Sequence, residues 1–248
     1  MNAALDNCIK KEDEIITFSG GKFGQRWHEI ASSLGINAHH HKTEWGDSIS
    51  AETVLDEIKK YPKLKAICIQ HCETSTGIMY PLNDILNAVK DYNQEILTFV
   101  DGITSIGVTP INFDSGLIDV LVCGSQKALM LPPGLSMITL SDKAWKIAEQ
   151  KNRSQYYWNL NKERKGQNKG ISQWTPATTL VIGLRKSLEL IENEGYENLY
   201  KRHLELASFT RKELQNLGFT LYAKSHPAPG LTAVITPCLL YTSPSPRD

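Results

Sequence analysis

The chain has 248 residues, of which 41% are hydrophobic and 22% charged, as expected for a globular protein with one large domain or slightly more. Lysine plus arginine equals aspartate plus glutamate, 27 of each, so charge gives no reason to expect a nucleic acid or a membrane as partner. No apolar run approaches the roughly 20 residues of a membrane helix, and the first residues lack the layout of a signal peptide.

Short apolar strands alternate with amphipathic helices through the first part of the chain. Strands are predicted at 14–18, 37–43, 65–72, 96–102, 118–125 and 136–141. One predicted helix carries apolar residues from Trp27 to Leu34 and ends at Gly35, a second follows Ser50, and a third begins near Leu82. This alternation predicts an α/β fold with a mainly parallel sheet.

From Ala177 the pattern changes to two long predicted helices, the first ending at Gly195 and the second covering 196–218. Strand-like segments at 219–224 and 231–236 follow and indicate a smaller, incomplete α+β domain. We predict a large domain over 1–195 and the start of a C-terminal domain over 196–237.

The last eleven residues, "CLLYTSPSPRD" at 238–248, continue no predicted element. The string resembles the translation of a sequencing adapter, and we interpret it as an artefact and exclude it from the fold argument. A natural disordered tail is the alternative.

Five cysteines are present and none has Cys-x-x-Cys spacing: Cys8, Cys68, Cys72, Cys123 and Cys238. Because three of them lie in or beside apolar strand-like runs, we expect buried free thiols in a reducing compartment. His39, His40 and His41 have no cysteine or carboxylate at ligand spacing, so we expect a solvated strand there and no metal.

Small and polar residues follow four of the predicted strands, at the edge where open parallel sheets bind ligands. The first strand is followed by "SGGKFG", the third by "ETSTG", the fourth ends at Asp101, and the fifth is followed by "GSQK". Lys127 therefore ends an apolar run. Because burying an unpaired ammonium is costly, its amine either reaches water or has a chemical use.

These residue types match the needs of pyridoxal phosphate. The cofactor aldehyde needs an amine, the pyridine nitrogen an acid, the phosphate hydroxyls and N–H groups, and the ring an aromatic face. Lys127, Asp101, Thr74 and Phe23 match these four needs in turn.

The segment "VDGITSIGVTPINFDSGLIDVLVCGSQKALMLPPGL" closely resembles the class V aminotransferases of the alanine–glyoxylate, serine–glyoxylate and serine–pyruvate group. That family has a V-D-x-x-x-S-x-G segment, then G-S-Q-K and P-P-G. The segments "GKFGQRW", "HCETSTGI" and "QWTPATTLVIGLRKSLELI" resemble three further family segments. The resemblance covers nearly all of residues 1–237.

The resemblance implies a type I pyridoxal phosphate transferase fold and a homodimer whose active sites lie at the subunit interface. It implies that Lys127 is the lysine that forms a Schiff base with the cofactor, and that Asp101 is the partner of the pyridine nitrogen. The freed amine of Lys127 would then move a proton from the substrate carbon to the cofactor carbon.

The resemblance also implies five further cofactor contacts. Ile103 would pack beside the ring, Phe23 would stack on it, and Thr74 and Gln126 would contact the cofactor. Thr175 would reach the phosphate from the neighbouring subunit.

The implied reaction moves an amino group from a small L-amino acid, serine or alanine, to a small 2-oxo acid, glyoxylate or pyruvate. Another class V chemistry, phosphonate transamination or a desulfurase-like reaction, is the alternative among enzymes. A non-catalytic subunit that retains the fold is the alternative of another class.

Two departures from the family pattern lead us to expect a piece truncated at both ends. The phosphate loop that precedes the helix beginning near Met1 is absent, and so is the arginine that binds the substrate carboxylate. We expect this piece to be inactive alone. We expect a cytoplasmic protein, with an organelle as the alternative.

Simpler interpretations exist for each site residue. Lys127 is otherwise a surface lysine at a strand end, Asp101 a cap of the following turn, Thr74 part of a hydroxyl-rich turn and Phe23 a core residue. The resemblance favours the catalytic interpretation, because the spacing of 26 residues between Asp101 and Lys127, with Gln126 beside the lysine, suits the family pattern.

Overall fold

The computed structural model of the protein describes residues 1–150 and 156–236. The stretch 238–248, which we interpret as an artefact, lies outside the described residues, as does Cys238.

A six-stranded sheet forms the centre of the fold, with strand order β2-β1-β3-β6-β7-β8. The first five strands run parallel and β8 pairs antiparallel with β7, which confirms the prediction of a mainly parallel sheet. The strands are β1 (Glu14–Ser19), β2 (Asn37–Lys42), β3 (Leu64–Gln70), β6 (Leu97–Asp101), β7 (Val120–Gly124) and β8 (Ser136–Leu140). Two-residue strands form two small antiparallel pairs, β4 (Cys72–Glu73) with β5 (Ile78–Met79) and β9 (Thr220–Leu221) with β10 (Val234–Ile235).

Eight α-helices surround this sheet in the described part of the chain: α1 (Asn2–Cys8), α2 (Lys22–Ser33), α3 (Ala51–Ile58), α4 (Leu82–Tyr92), α5 (Asp142–Gln150), α6 (Leu160–Gln167), α7 (Thr178–Glu194) and α8 (Tyr196–Asn216). The predicted helix boundaries have local causes. The Ser50 hydroxyl accepts a hydrogen bond from the Thr53 N–H at 3.1 Å and caps α3. Gly35, with φ of +69°, lies just beyond the end of α2.

Hydrophobic clusters cover both faces of the sheet, because successive strand residues point to opposite sides. Phe99 packs with Trp27 in the cluster under α1, α2 and α5, where their rings meet edge to face. Val100 points to the other face, where it joins Ile85 and Val54 under α3 and α4. A sheet covered on both faces leaves its strand ends as the place for a ligand site.

A buried ion pair joins α4 to the sheet away from the strand ends that carry the candidate site. The Lys90 Nζ lies 2.6 Å from the Asp119 Oδ2 and donates to the Ile96 carbonyl at 2.9 Å. Asp119 also accepts from the Thr98 N–H at 3.0 Å and from the Ser141 hydroxyl at 2.8 Å. The charge of Asp119 is therefore fully paired within the chain.

The C-terminal segment folds back onto loops of the large domain. The Lys224 N–H donates to the Gly46 carbonyl at 2.8 Å, and the Met79 N–H donates to the His226 carbonyl at 2.8 Å. Gly195, between α7 and α8, has φ of +82°. The domain boundaries at 195 and 237 stay a prediction.

Several expectations differ from the structure. The segments 219–224 and 231–236 each hold a strand of only two residues, and β3 ends at Gln70. Helix α1 lies where the resemblance implies a helix beginning near Met1, whereas no helix is predicted at α5 or α6, and α6 has only eight residues, which is too short for a clear apolar period.

The expectation of a solvated histidine strand is wrong. All three histidines of β2 are half-buried, and each has a polar partner. The His39 Nε2 lies 2.7 Å from the Glu14 Oε1, and the His40 Nε2 lies 2.6 Å from the Ser19 Oγ. The pKa of His40 is lowered to about 4, mainly by burial and then by the neighbouring His28.

Four cysteines are confirmed as buried free thiols: Cys8, Cys68, Cys72 and Cys123. Within residues 1–150 and 156–236, no group of three or more His, Cys, Asp or Glu side chains could hold a metal ion. In the same ranges, no helix combines the length and hydrophobicity required to cross a membrane.

Candidate active site

Asp101 ends the β6 strand between the ends of two neighbouring strands. The sheet register places it beside Gln70 of β3 and Val122 of β7. Its side chain is only 7% exposed, and its Oδ1 accepts a hydrogen bond from the Ile103 N–H at 2.8 Å. Asp101 therefore caps the following turn, and this role is compatible with a second one towards a ligand.

Burial raises the pKa of the Asp101 carboxyl to about 6, because the charged form loses hydration. The Ile103 N–H and the Arg26 guanidinium oppose this rise in pKa, and the Glu73 carboxylate adds to it. A buried carboxylate of this kind gains from a cationic partner that restores part of the lost stabilisation.

Lys127 lies on the turn after β7, and its side chain is exposed. Ser125, two residues earlier, is fully buried and organises this turn. Its hydroxyl donates to the Pro132 carbonyl at 2.8 Å, and it accepts from the Leu135 N–H at 3.2 Å. The turn that carries Lys127 is thus fixed by hydrogen bonds within the loop, so the position of Lys127 does not depend on burying its amine.

A close contact joins the Asp101 segment to the Lys127 turn. Gly107 has φ of +82°, and a Cβ added to it would lie 2.9 Å from the Cβ of Ala128. A side chain at position 107 would push the two segments apart, and the positive φ also favours glycine there. The last glycine of the V-D-x-x-x-S-x-G segment therefore brings the lysine turn close to the strand end that carries Asp101.

The pKa of the buried Cys72 thiol depends on charges from both segments. Burial raises its pKa to about 12, with further increases from Glu73 and Asp101, whereas Lys127 lowers it. Cys72 therefore lies within electrostatic range of both Asp101 and Lys127.

Thr74 and Phe23 lie on neighbouring segments of the same sheet edge. The Thr74 Oγ1 lies 2.8 Å from the Thr104 Oγ1, which joins the loop after β4 to the loop after β6. Phe23 occupies the first turn of α2 and is half-buried. It belongs to none of the hydrophobic clusters formed by the described residues, which argues against its role as a core residue.

Ile103 and Gln126 also lie close to this edge. Ile103 is half-buried and contacts Asp101 through its N–H. Gln126 is exposed, and its Oε1 would lie 2.7 Å from a Cβ added to Gly124, so its amide folds back over the end of β7.

Thr175 lines a cavity that borders the loop of Lys127 at Leu135. It is exposed on the segment between α6 and α7 and lines this cavity of about 500 Å³ together with Leu135, Ile171 and Trp174. None of the residues that line this cavity belongs to the Asp101 cluster.

Three residues of this edge have no role assigned from the sequence: Thr104, and Glu73 and Ser125 inside the segments "ETSTG" and "GSQK". Glu73 is fully buried and binds the first turn of α2. Its position inside "HCETSTG" signalled a loop, but nothing in the sequence signalled its distant partners, about 50 residues earlier.

Comparisons with known proteins agree on one family. A family model described as aminotransferase class-V matches residues 1–241. The chain is 34% identical over 240 residues to a protein named soluble hydrogenase 42 kDa subunit from Anabaena cylindrica, a match that covers 96% of this chain and 62% of that protein. It is 33% identical over 244 residues to a serine–glyoxylate aminotransferase from Methylorubrum extorquens, covering 95% of this chain and 61% of that protein.

A solved structure shows the same fold. The chain matches an alanine–glyoxylate aminotransferase from Nostoc sp. with a TM-score of 0.88 and 27% identity, covering 96% of this chain and 63% of that one. The chain thus spans a little over 60% of the length of each of these three proteins.

Proposed function

Because the chain belongs to the class V aminotransferase family, we propose that the protein moves an amino group from a small L-amino acid to a small 2-oxo acid. The donor is serine or alanine and the acceptor is glyoxylate or pyruvate. The names of the serine–glyoxylate and alanine–glyoxylate relatives support these substrates. One observation carries the proposal: a buried carboxyl, Asp101, lies on the segment that packs against the turn of Lys127.

Class V aminotransferases depend on pyridoxal phosphate, and the residues at this sheet edge fit that cofactor. Asp101 supplies a buried acid, Lys127 an exposed amine and Phe23 a half-buried ring. The hydroxyl pair of Thr74 and Thr104 adds polar groups on the adjacent loops. When bound, pyridoxal phosphate supplies an aldehyde that bonds to amines and a ring that accepts electrons from the substrate carbon.

Three side chains would each have a separate role toward the cofactor. Asp101 holds a proton on the pyridine nitrogen, because its buried carboxylate gains from the positive charge that this proton creates. The Lys127 amine would hold the cofactor and, when free, would move the proton of the substrate carbon as a general base and acid. The hydrogen bonds of Ser125 keep the turn of Lys127 in place during this exchange.

The two remaining contacts would orient the cofactor. Ile103 packs beside the ring, and Gln126 contacts it from the end of β7. Thr175 would bind the phosphate of a second subunit in a homodimer. The exposure of Thr175 supports this assignment, because a second subunit can reach an exposed hydroxyl.

A second candidate is a subunit that keeps the fold without transferring amino groups. The relative named as a soluble hydrogenase subunit favours it. A binding role does not require a buried acid beside an accessible lysine, so the arrangement of Asp101 and Lys127 favours the enzyme.

Covalent labelling of the natural-length protein tests the proposal. The protein is incubated with pyridoxal phosphate, reduced with borohydride and mapped by peptide mass spectrometry. We expect a visible absorption band that disappears on reduction, and a phosphopyridoxyl group on Lys127.

Two matched variants complete this experiment. Lys127→Arg should abolish the label, and Lys22→Arg, at the exposed first position of α2, should leave it unchanged. A label on Lys22 in the unsubstituted protein would contradict the assignment. A protein that binds no cofactor would favour the non-catalytic subunit.

A further inference from the structure

We propose that Glu73 is a positioning residue that sets the place of the Phe23 ring against the cofactor. This inference rests on the proposed function, since it concerns the same pyridoxal phosphate site. Glu73 would not contact the cofactor itself, but would act through the first turn of α2.

The Glu73 carboxylate binds the start of α2 with both of its oxygens. Its Oε2 accepts from the Gly24 N–H at 2.8 Å, and its Oε1 accepts from the Phe23 N–H at 3.2 Å. The Oε1 also accepts from the Ser75 hydroxyl at 2.6 Å and from the Ser75 N–H at 3.2 Å. The backbone that carries the Phe23 ring is therefore bound to the loop after β4, which also carries Thr74.

Two features show that this contact is built into the fold. Glu73 is fully buried, and a buried carboxylate needs several donors to offset its lost hydration. A Cβ added to Gly21 would lie 2.6 Å from the Glu73 Cγ, so only glycine lets the side chain come this close. The Lys22 N–H donates to the Ser75 hydroxyl at 3.0 Å and adds a second link.

The donors require a carboxylate rather than an amide. The first N–H groups of a helix have no partner within the helix, and an acidic side chain there is favoured by the helix dipole. Glu73 faces four donor groups and accepts from all of them. A glutamine would replace one acceptor oxygen with an NH₂ group that cannot accept.

The ring of Phe23 depends on this link because little else holds it. The guanidinium of Arg26 lies 5.1 Å from the ring centroid, over one face, so only the opposite face is available for stacking on a cofactor. Since Phe23 lies outside the hydrophobic clusters of the described residues, core packing does not hold the ring.

The test compares Glu73→Gln, Phe23→Leu and the double variant in the natural-length protein. We expect each single variant to weaken pyridoxal phosphate binding about tenfold, which corresponds to about 1.4 kcal/mol. The visible circular dichroism of the bound cofactor should also fall, because the ring loses its fixed orientation. The double variant should be no worse than Phe23→Leu, since residues that act through one contact are not additive.

Hydrogen exchange without cofactor gives an independent readout. Glu73→Gln should increase exchange at the amides of Phe23 and Gly24, whereas Phe23→Leu should leave the Gly24 amide protected. Asp119→Asn is the matched control, because Asp119 is also a buried carboxylate with several donors but lies at the Lys90 ion pair. We expect this control to lower thermal stability without changing the circular dichroism of the bound cofactor.

The outcomes separate this inference from the proposed function. If the unsubstituted protein binds the cofactor and Glu73→Gln binds it equally well, the positioning role is wrong and the proposed function stands. Additive losses in the double variant would also overturn the role. If the unsubstituted protein binds no cofactor, the proposed function fails and the positioning role fails with it.

Discussion

The ligand edge of the sheet and the helix pair α7–α8 leave different kinds of side chain without a partner. At the sheet edge, the buried carboxylates of Asp101 and Glu73 and the hydroxyl of Ser125 have hydrogen-bond partners within the chain, whereas the buried His71 Nδ1 and Ser105 hydroxyl have none among the described residues. On α7 and α8, large apolar side chains remain exposed: Val181, Ile182, Leu188, Leu190, Leu204, Leu206 and Phe209.

This difference indicates which parts of the proposed site the chain organises alone. The Asp101 carboxyl, the turn that carries Lys127 and the backbone of Phe23 are held by hydrogen bonds inside the described residues. Thr175 instead precedes α7 in an exposed segment. Exposed apolar surface of this extent is typical of a face that packs against another part of a protein, and the chain spans a little over 60% of the length of its relatives.

The largest expected effect concerns the reactivity of the sheet edge. Asp101→Asn removes the charge that would stabilise a proton on the pyridine nitrogen. Losing one partner of a buried charge pair costs roughly 3–5 kcal/mol, so kcat should fall by roughly a hundredfold to a few thousandfold. Steady-state kinetics of the natural-length protein with serine and glyoxylate check this, and unchanged kcat would rule out the role of Asp101.

A second prediction tests whether a buried charge pair of the sheet that lies outside the site, Lys90 with Asp119, contributes to folding stability. Lys90→Met leaves Asp119 buried without its cation, and the free energy of unfolding should fall by roughly 3–5 kcal/mol. Urea denaturation measures this loss. Adding Asp119→Leu should recover much of it, because the uncompensated charge is then removed. Equal stability of Lys90→Met and the unsubstituted protein would show that the pair contributes little.

The central sheet could be predicted from the sequence because its strands are short apolar runs separated by polar turns. The position of Asp101 relative to the Lys127 turn followed from the rule that ligand sites lie at the ends of parallel strands. Both signals are local in sequence.

The remaining features depend on contacts that are distant in sequence. Glu73 finds its partners about 50 residues earlier, and no periodicity or composition reveals such a pairing. The expectation that the three histidines of β2 are solvated is wrong for the same reason. His40 lies at the sheet edge, but its partners Ser19 and His28 come from β1 and α2 and cover it.

A third prediction concerns the folding stability that the cofactor-free protein loses when the buried Asp101 carboxyl is ionised. Its pKa is about 6 in the folded protein and 3.8 in the reference state. The folded state therefore binds the proton more tightly, and stability should fall as pH rises from about 4 to 6, by at most about 3 kcal/mol. Asp101→Asn should flatten this dependence and stabilise the cofactor-free protein at pH 7.

Urea denaturation of both proteins at pH 4.5 and pH 7 measures this difference. Asp119→Asn, which removes a carboxylate paired with Lys90, should instead lower stability at pH 7. If the gap between the unsubstituted protein and Asp101→Asn is the same at both pH values, the carboxyl does not titrate in this range.

The last prediction concerns substitutions on the exposed face of α8, which should change stability least but should weaken self-association. Leu206 and Phe209 are 54% and 64% exposed and lie three residues apart on α8, so they share one face. Replacing both with glutamine should change the free energy of unfolding by only about 0.5 kcal/mol.

If this face meets a second subunit, the same change should weaken self-association measured by sedimentation velocity. The matched control replaces exposed Ser208 and Lys212 with glutamine and should leave association unchanged. Equal association in both double variants would show that this face of α8 lies outside any interface, and that the contrast with the sheet edge has another origin.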